Sequence, residues 1–80
     1  DLRRTDMSKA TMFQTNLQGA LLDSARLNHA RMMEADLESA YLDDTDLRQA
    51  DLRDAILRGA DLRYANLEGT RLSQTDLEGA

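Results

Sequence analysis

Small and aliphatic residues recur at two fixed positions in every five along the whole chain. Every residue whose number is a multiple of five is Ala or Thr. Two positions later comes Leu or Met, from Leu2 and Met7 to Leu72 and Leu77. The position between these two is often Asp or Asn, and the remaining two are mostly polar. The hydrophobic pattern therefore has a period of five residues.

Neither regular secondary structure accommodates this period. In an α-helix, at about 100° per residue, a step of five rotates the side chain by a net angle of about 140°, so the aliphatic residues would form no stripe. In a flat strand, an odd period sends successive aliphatic residues to opposite faces. The pattern becomes consistent if the chain turns once per unit, because the small and the aliphatic residue then share an inward face. With corners of about 90°, four units would close one coil of about 20 residues.

The units resemble the A(D/N)LXX signature of the pentapeptide-repeat family. Clear examples are Ala35-Asp36-Leu37-Glu38-Ser39, residues 50–54 and residues 60–64, and the resemblance covers the whole chain. It implies an all-β fold, a right-handed quadrilateral β-helix of four coils of about 20 residues, with the Leu and Ala columns inside. The Asp or Asn is replaced at Thr11, Leu21, Arg26, Arg31, Tyr41, Ile56 and Arg71. That position points outward, so we expect these departures to change the surface and not the fold.

The aliphatic column of the central units predicts the core. We expect each residue to stack on its counterpart 20 positions away, and burial of one Leu or Met to stabilise the fold by about 1.5–3 kcal/mol. The expected core residues are Leu22, Leu27, Met32, Leu37, Leu42, Leu47, Leu52 and Leu57. Opposite charges also align at a separation of 20, which disfavours coils of three units but barely separates four units from five. The resemblance decides that choice.

The 80 residues suffice for one domain, which we take as residues 1–80. The aliphatic residues of the first and last coils each lack a neighbour on one side, and no capping segment is evident. We expect the chain to be a segment of a longer solenoid, a trimmed form, or a unit that stacks end to end with another copy, since open ladder edges invite pairing.

Net charge excludes some classes of partner. The chain carries 15 acidic and 10 basic side chains, for a net charge of −5. This acidic surface disfavours direct binding to nucleic acid or to anionic membranes, and it leaves open a protein with a basic surface. No apolar run approaches the roughly 18 residues of a membrane span, and we expect a cytoplasmic location.

Candidate chemistry is sparse. His29 is the only histidine and falls at a corner facing water, and the serines have no evident base beside them. Asp43 and Asp44, with Asp23 one coil away, could hold a divalent cation loosely, but a solvated acidic edge is the interpretation we favour. We therefore predict no catalytic, cofactor-binding or metal-binding residues, and no enzyme.

Exposed apolar pairs are the most informative surface feature. Leu21 and Tyr41 occupy one outward column on consecutive coils, and Phe13 and Met33 do the same on the opposite side. Such pairs can mark a contact surface for a protein partner. They can equally stabilise the ladder without any partner. We predict a non-enzymatic structural or protein-interaction solenoid, with these four residues as the candidate partner surface.

Two other functions remain open at this point. Some bacterial pentapeptide-repeat proteins bind DNA gyrase, so the resemblance implies a DNA-mimicking inhibitor or protector of gyrase as an alternative. The most acidic side, with Asp36, Glu38, Asp76 and Glu78 less Arg58, reaches only −3, whereas duplex DNA carries roughly 11 charges over about 19 Å. The other alternative is an engineered or excised scaffold without native activity.

Overall fold

The backbone is a ladder of parallel bridges with a constant spacing. The computed structural model describes residues 1–80, and it contains no helix and no strand longer than a single bridge residue. Eleven parallel bridges join residues that are 20 apart, from Asp6 with Arg26 to Ile56 with Asp76. We call each 20-residue step of this register a coil. The spacing selects four units per coil over the five-unit alternative that the outward charges had left open.

Three backbone hydrogen bonds tie each side of one coil to the next. In one such set, the amides of Leu22 and Ser24 donate to the carbonyls of Tyr41 and Asp43, at 2.9 Å each. The amide of Asp46 completes the set by donating back to the carbonyl of Ala25 at 3.1 Å. The same pattern repeats along the chain, so neighbouring coils are held in one register on every side.

Each unit turns at the two residues that follow Leu or Met. The Ala or Thr amide after the turn donates to the carbonyl of the Leu or Met before it, as Ala35 does to Met32 at 3.1 Å. The second turn residue has a positive φ in every unit, between 57° and 71°, whereas the first does not. This is the signature of a type II turn. The chain therefore bends over two residues, and not at a single corner position.

Glycine occupies only a minority of these turns. Gly19, at φ +63°, has no Cβ to strain the turn. Twelve other residues adopt the same left-handed conformation, including His29 and Tyr64. That conformation costs a non-glycine residue roughly 1–2 kcal/mol. The hydrogen bonds and packing between coils must therefore offset a repeated local cost.

The core is a narrow column inside the central coils. All eight expected core residues, Leu22, Leu27, Met32, Leu37, Leu42, Leu47, Leu52 and Leu57, have 0% exposure. Alanines of the small column fill the space between them, for example Ala35 and Ala50. Towards the last coil the same aliphatic column becomes accessible, with Leu67 at 37% and Leu77 at 41%. Burial thus depends on having a coil on both sides.

At four of the five positions where threonine replaces alanine in the small column, its hydroxyl donates to a backbone carbonyl. The hydroxyls of Thr70 and Thr75 donate to carbonyls of the preceding coil, those of Leu47 and Leu52, at 2.8 Å and 2.7 Å. The buried Thr45 hydroxyl donates to the Leu42 carbonyl of its own unit. No buried side-chain nitrogen or oxygen is left without a partner, so a polar group in this column does not carry the usual desolvation penalty.

The outward Asp or Asn has a structural function that the sequence analysis did not predict. The amide of the first turn residue has no backbone acceptor in any unit. Wherever Asp or Asn precedes the Leu or Met, its side-chain oxygen accepts from that amide, at 3.0–3.3 Å. These acceptors, which we call Asx caps, are Asp1, Asp6, Asn16, Asp36, Asp46, Asp51, Asp61, Asn66 and Asp76. The cap stabilises the turn by satisfying its orphan donor.

In four units the capping aspartate is also paired with an arginine two residues later. The Asp61 carboxylate accepts from the Arg63 amide at 3.1 Å, from Arg63 Nε at 2.9 Å and from Nη2 at 2.6 Å. These bonds lower the pKa of Asp61 from 3.8 to about 2. Arg48 and Arg53 lower the pKa of Asp46 and Asp51 in the same way. A carboxylate held by an arginine and an amide is therefore a recurring element of this fold.

Ladder groups at both ends have no partner within residues 1–80. In the first coil these include the carbonyls of Arg3 and Ser8, and in the last coil the amides of Leu67 and Leu77. The expected end-to-end association with another copy stays a prediction. The chain contains no helix with the length and apolar character that crossing a membrane requires.

Truncation of a central core residue should cost far more than truncation of its counterpart in the last coil. Leu37 and Leu77 belong to one column, but Leu37 is fully buried and Leu77 is 41% exposed. We expect Leu37→Ala to lower the free energy of unfolding by about 2–5 kcal/mol, because it removes contacts and leaves a cavity. Leu77→Ala should lower it by about 1 kcal/mol or less. Urea unfolding followed by circular dichroism measures both, and equal losses would contradict the assigned core.

Stability should fall on acidification through the range in which the arginine-paired aspartates Asp46, Asp51 and Asp61 take up protons. The folded-state pKa of Asp61 is about 2, below its ordinary value of 3.8. Its contribution to stability is therefore present above about pH 4 and is lost as the pH falls from there through about 2. Replacing Arg63 by Gln removes the main cause of the lowered pKa, so Asp61 should then titrate closer to 3.8. Carboxyl chemical shifts followed by NMR test this, and an unchanged Asp61 midpoint in Arg63→Gln would refute it.

Candidate functional site

The first pair of the candidate partner surface lies together on the ladder. Leu21 and Tyr41 are parallel bridge partners, and the amide of Leu22 donates to the carbonyl of Tyr41 at 2.9 Å. The Tyr41 side chain is 48% exposed and Leu21 is half-buried. The next residue in this column is Asp61, which also bridges Tyr41. The column thus presents two adjacent apolar side chains with charged residues as neighbours. The backbone of Tyr41 is held by bridges to the coils on both sides.

The second pair occupies a corner and is less uniform. Phe13 is 50% exposed, and Met33 is the equivalent residue one coil further on, where it is half-buried. The Met33 sulfur lies 3.3 Å from Nη2 of Arg53, so this side chain is partly covered by the next coil. Of the two residues, Phe13 is therefore the more accessible to a partner.

Tyr64 is an exposed aromatic residue that the sequence analysis did not single out. Its side chain is 89% exposed, and its backbone adopts φ +61° at the second position of a turn. A bulky residue rarely adopts this conformation. The only signal in the sequence is that the second turn position holds Gly or a polar residue in every other unit, and tyrosine in this one.

Ion pairs form mainly within units, and not between coils as the charge alignment predicted. Of the opposite charges that align 20 residues apart, only Glu38 and Arg58 form an ion pair, at 3.8 Å. Four arginines instead pair with the aspartate two residues earlier at 2.6 Å, as Arg48 does with Asp46. The aspartate is already fixed by its hydrogen bond to the amide of the same arginine. The guanidinium of that arginine therefore has only a short distance to span, which favours pairing within the unit.

The predicted acidic edge contains a repulsive pair. The carboxylate of the neighbouring Asp23 can accept a hydrogen bond from protonated Asp43, and this bond, together with the negative charge of Asp23, raises the pKa of Asp43. This is the behaviour of two like charges that share a site. No set of three or more acidic, histidine or cysteine side chains is arranged around a common point. His29 is exposed at its turn, as the sequence predicted.

The most acidic side of the solenoid is partly neutralised in the structure. Arg58 lies 3.8 Å from a carboxylate oxygen of Glu38, and its Nε lies 3.5 Å from one of Asp76. The arginine therefore stands between two coils of carboxylates and interrupts the stripe. This arrangement differs from the unbroken series of negative charges along a DNA strand.

A groove on another side of the solenoid is rich in arginine. Its volume is about 440 Å³, and its lining includes Arg31, Arg53 and Arg71 together with His29, Gln49 and Asp51. Arg31 and Arg71 are the bridge partners of Asp51 in the coils on either side. Arg53 binds both oxygens of Asp51, at 2.8 Å and 2.6 Å. An acidic protein thus carries a locally cationic groove.

Comparison with known proteins identifies the family. Residues 1–38 and 40–79 match the family of pentapeptide repeats, in eight copies. A comparison with curated protein sequences gives no match.

Three solved structures of pentapeptide repeat proteins are similar to this chain. One from Nostoc PCC 7120 is 36% identical with a TM-score of 0.57, and the alignment covers 84% of this chain and 64% of that protein. One from the cyanobacterium Cyanothece 51142 is 36% identical with a TM-score of 0.56, over 95% of this chain and 55% of that protein.

The third is a protein of the Arabidopsis thaliana thylakoid lumen, 32% identical with a TM-score of 0.55 over 99% of this chain and 59% of that protein. The chain thus spans between 55% and 64% of the length of these three proteins. With a repeat match over almost every residue and a ladder of matching architecture, this chain belongs to the pentapeptide-repeat family.

Proposed function

We propose that the chain is a non-enzymatic interaction module, a right-handed quadrilateral β-helix of four coils that presents its flat sides to a protein partner. The observation that carries this proposal is the Leu21–Tyr41 column. Its two apolar side chains stand on bridged backbone, and Tyr41 is 48% exposed. Exposed aromatic and aliphatic side chains that are fixed in place lose little entropy on binding. This suits them to anchor an interface.

The structural interpretation of the same column is weaker than the interaction interpretation for two reasons. A pair that only stabilised the ladder would be expected to cover its apolar surface, whereas half of the Tyr41 side chain faces solvent. The uncapped turn of this unit supports the same conclusion. Tyr41 stands where an Asx cap would satisfy the Asp43 amide, and no backbone carbonyl accepts from that amide. A role in a contact surface explains why Tyr41 stands at this position although it leaves the turn amide without an Asx cap.

The gyrase alternative finds less support. A mimic of DNA requires a continuous acidic stripe, and Arg58 pairs with carboxylates on two coils of the most acidic side. The groove lined by Arg31, Arg53 and Arg71 adds positive charge to a second side. We therefore favour a protein partner that recognises individual surface columns over one that recognises a uniform negative field.

A double substitution in the Leu21–Tyr41 column should abolish partner binding without unfolding the chain. We expect Leu21→Asp/Tyr41→Asp to lose a specific protein that the unmodified chain retains in a pull-down from the source organism. The fold should persist, because Asp at these positions can cap the turn amides of residues 23 and 43, as Asp61 does for Arg63. Circular dichroism checks that persistence.

Tyr64→Asp serves as the matched control, since it removes an exposed tyrosine outside the column and adds one negative charge, as each substitution of the double variant does. The control variant should retain the partner. Retention by the double variant, or equal loss in the control, would exclude this column as the interaction surface.

A further inference from the structure

One side of the solenoid combines positive charge with unused hydrogen-bond donors. This side, which we call the arginine face, consists of the outward column Arg31, Asp51 and Arg71 and the first turn residues Met33, Arg53 and Ser73. The three column residues are joined by parallel bridges, so they lie on consecutive coils. At about 4.8 Å per step, Arg31 and Arg71 are roughly 10 Å apart along the axis. The groove of about 440 Å³ lies over these residues.

Two turn amides on this face lack the acceptor that the Asp or Asn side chain of the same unit provides in capped units. In the middle unit, the Arg53 amide donates to the Asp51 carboxylate at 3.3 Å. In the units on either side, arginine stands where the capping carboxylate would be. The amides of Met33 and Ser73 consequently have no backbone or side-chain acceptor in the chain. By the repeat geometry, both amides point towards the outward column, as the Arg53 amide does.

The charge of the arginine face is positive although the chain as a whole is acidic. Arg53 neutralises Asp51 through bonds of 2.8 Å and 2.6 Å. Neither Arg31 nor Arg71 forms an ion pair with a carboxylate, so both guanidinium groups keep their charge unpaired. Each of these arginines lies next to a turn amide without an acceptor. The face therefore offers two places that combine a guanidinium with a backbone donor.

The fold itself shows what such a combination binds. In the units of Asp46, Asp51 and Asp61, a carboxylate is held by one turn amide and one guanidinium, at 2.6–3.3 Å. Charge-assisted bonds of this kind are among the stronger hydrogen bonds in proteins. In those units both donors belong to the arginine at the first turn position. In the Arg31 and Arg71 units the guanidinium comes from the column residue and the free amide from Met33 or Ser73, and the internal carboxylate is missing. An external carboxylate would restore the pattern.

We propose that the arginine face binds an acidic segment of a partner protein, with one carboxylate in the Arg31 unit and a second in the Arg71 unit. This inference rests on the proposed interaction function and adds to it a second surface and the chemistry of its ligand. The Met33 amide and the Arg31 guanidinium hold the first carboxylate, and the Ser73 amide and the Arg71 guanidinium hold the second. Two carboxylates roughly 10 Å apart match residues i and i+3 of a peptide in the polyproline II conformation, which rises about 3.1 Å per residue and returns to the same face every three residues.

The wider charge distribution favours an acidic peptide over nucleic acid. The net charge of −5 repels a polyphosphate chain as it approaches. Glu34 and Asp54, which are exposed at the turns that border the arginine face, limit the cationic region to a narrow strip. A short segment with two separated carboxylates fits this strip, because the rest of the segment need not carry charge.

The test is binding of a fluorescent peptide that carries two aspartates separated by two uncharged residues, measured by fluorescence anisotropy. The matched peptide has asparagine at both positions. We expect the aspartate peptide to bind the unmodified chain more tightly than the asparagine peptide, and added salt to weaken that binding.

Arg31→Asn and Arg71→Asn should each weaken binding of the aspartate peptide on the order of tenfold, through loss of one charged contact and one amide donor. Both variants should fold, because asparagine already caps turns of this chain at residues 16 and 66. The same substitution at Arg26 is the control, since Arg26 is an exposed arginine without an ion pair at the equivalent position of another side. It should change the affinity by no more than about twofold.

Three results would overturn the inference. The first is equal affinity for the aspartate and asparagine peptides, and the second is a loss in Arg26→Asn as large as in Arg31→Asn, which would indicate only net charge. The third is a single-stranded oligonucleotide that binds more tightly than the peptide through Arg31 and Arg71. Leu21→Asp/Tyr41→Asp should leave peptide binding intact, so failure of the arginine face and failure of the proposed Leu21–Tyr41 surface are distinguishable.

Discussion

The whole structure depends on the hydrogen-bond register that places each residue on the one 20 positions later. The bridges from Asp6 with Arg26 to Ile56 with Asp76 all follow it. Because the register is constant, every fifth residue keeps one environment, and the narrow interior accepts only Ala or Thr beside Leu or Met. The same register holds twelve non-glycine turn residues at positive φ. A change of spacing by one residue would remove the core and the turns together.

The period of five predicted which side chains face inward, because the pattern of small and aliphatic residues can be buried in only one way. The eight central Leu and Met residues have 0% exposure. The period could not predict the Asx caps, since the amide that lacks a partner is invisible until the turn is built. Nor could it predict that arginine pairs within its unit, as Arg63 does with Asp61 at 2.6 Å. Sequence spacing indicates which charged residues are neighbours. It does not indicate which carboxylate is already held by a turn amide and is therefore the favoured partner.

The outward position before each Leu or Met connects stability with function. When it is Asp or Asn, the residue completes the turn of its own unit, as Asp46 does at 3.1 Å from the Arg48 amide. When it is another residue, the turn loses an acceptor and the surface gains a new side chain. Leu21, Tyr41, Arg31 and Arg71 are all of this second kind. The departures from the repeat therefore mark both of the surfaces for which we propose partners, an apolar column and a cationic face.

Amide hydrogen exchange followed by NMR tests this account most directly, because each class of amide has a defined partner. In the central coils, the amides of Leu42 and Asp44 donate to the next coil and should exchange slowly. The Arg53 amide, capped by Asp51, should be protected, whereas the Met33 amide should exchange fast. Protection of both first-turn amides alike, or fast exchange at Leu42, would contradict the register and the caps on which the proposed surfaces depend.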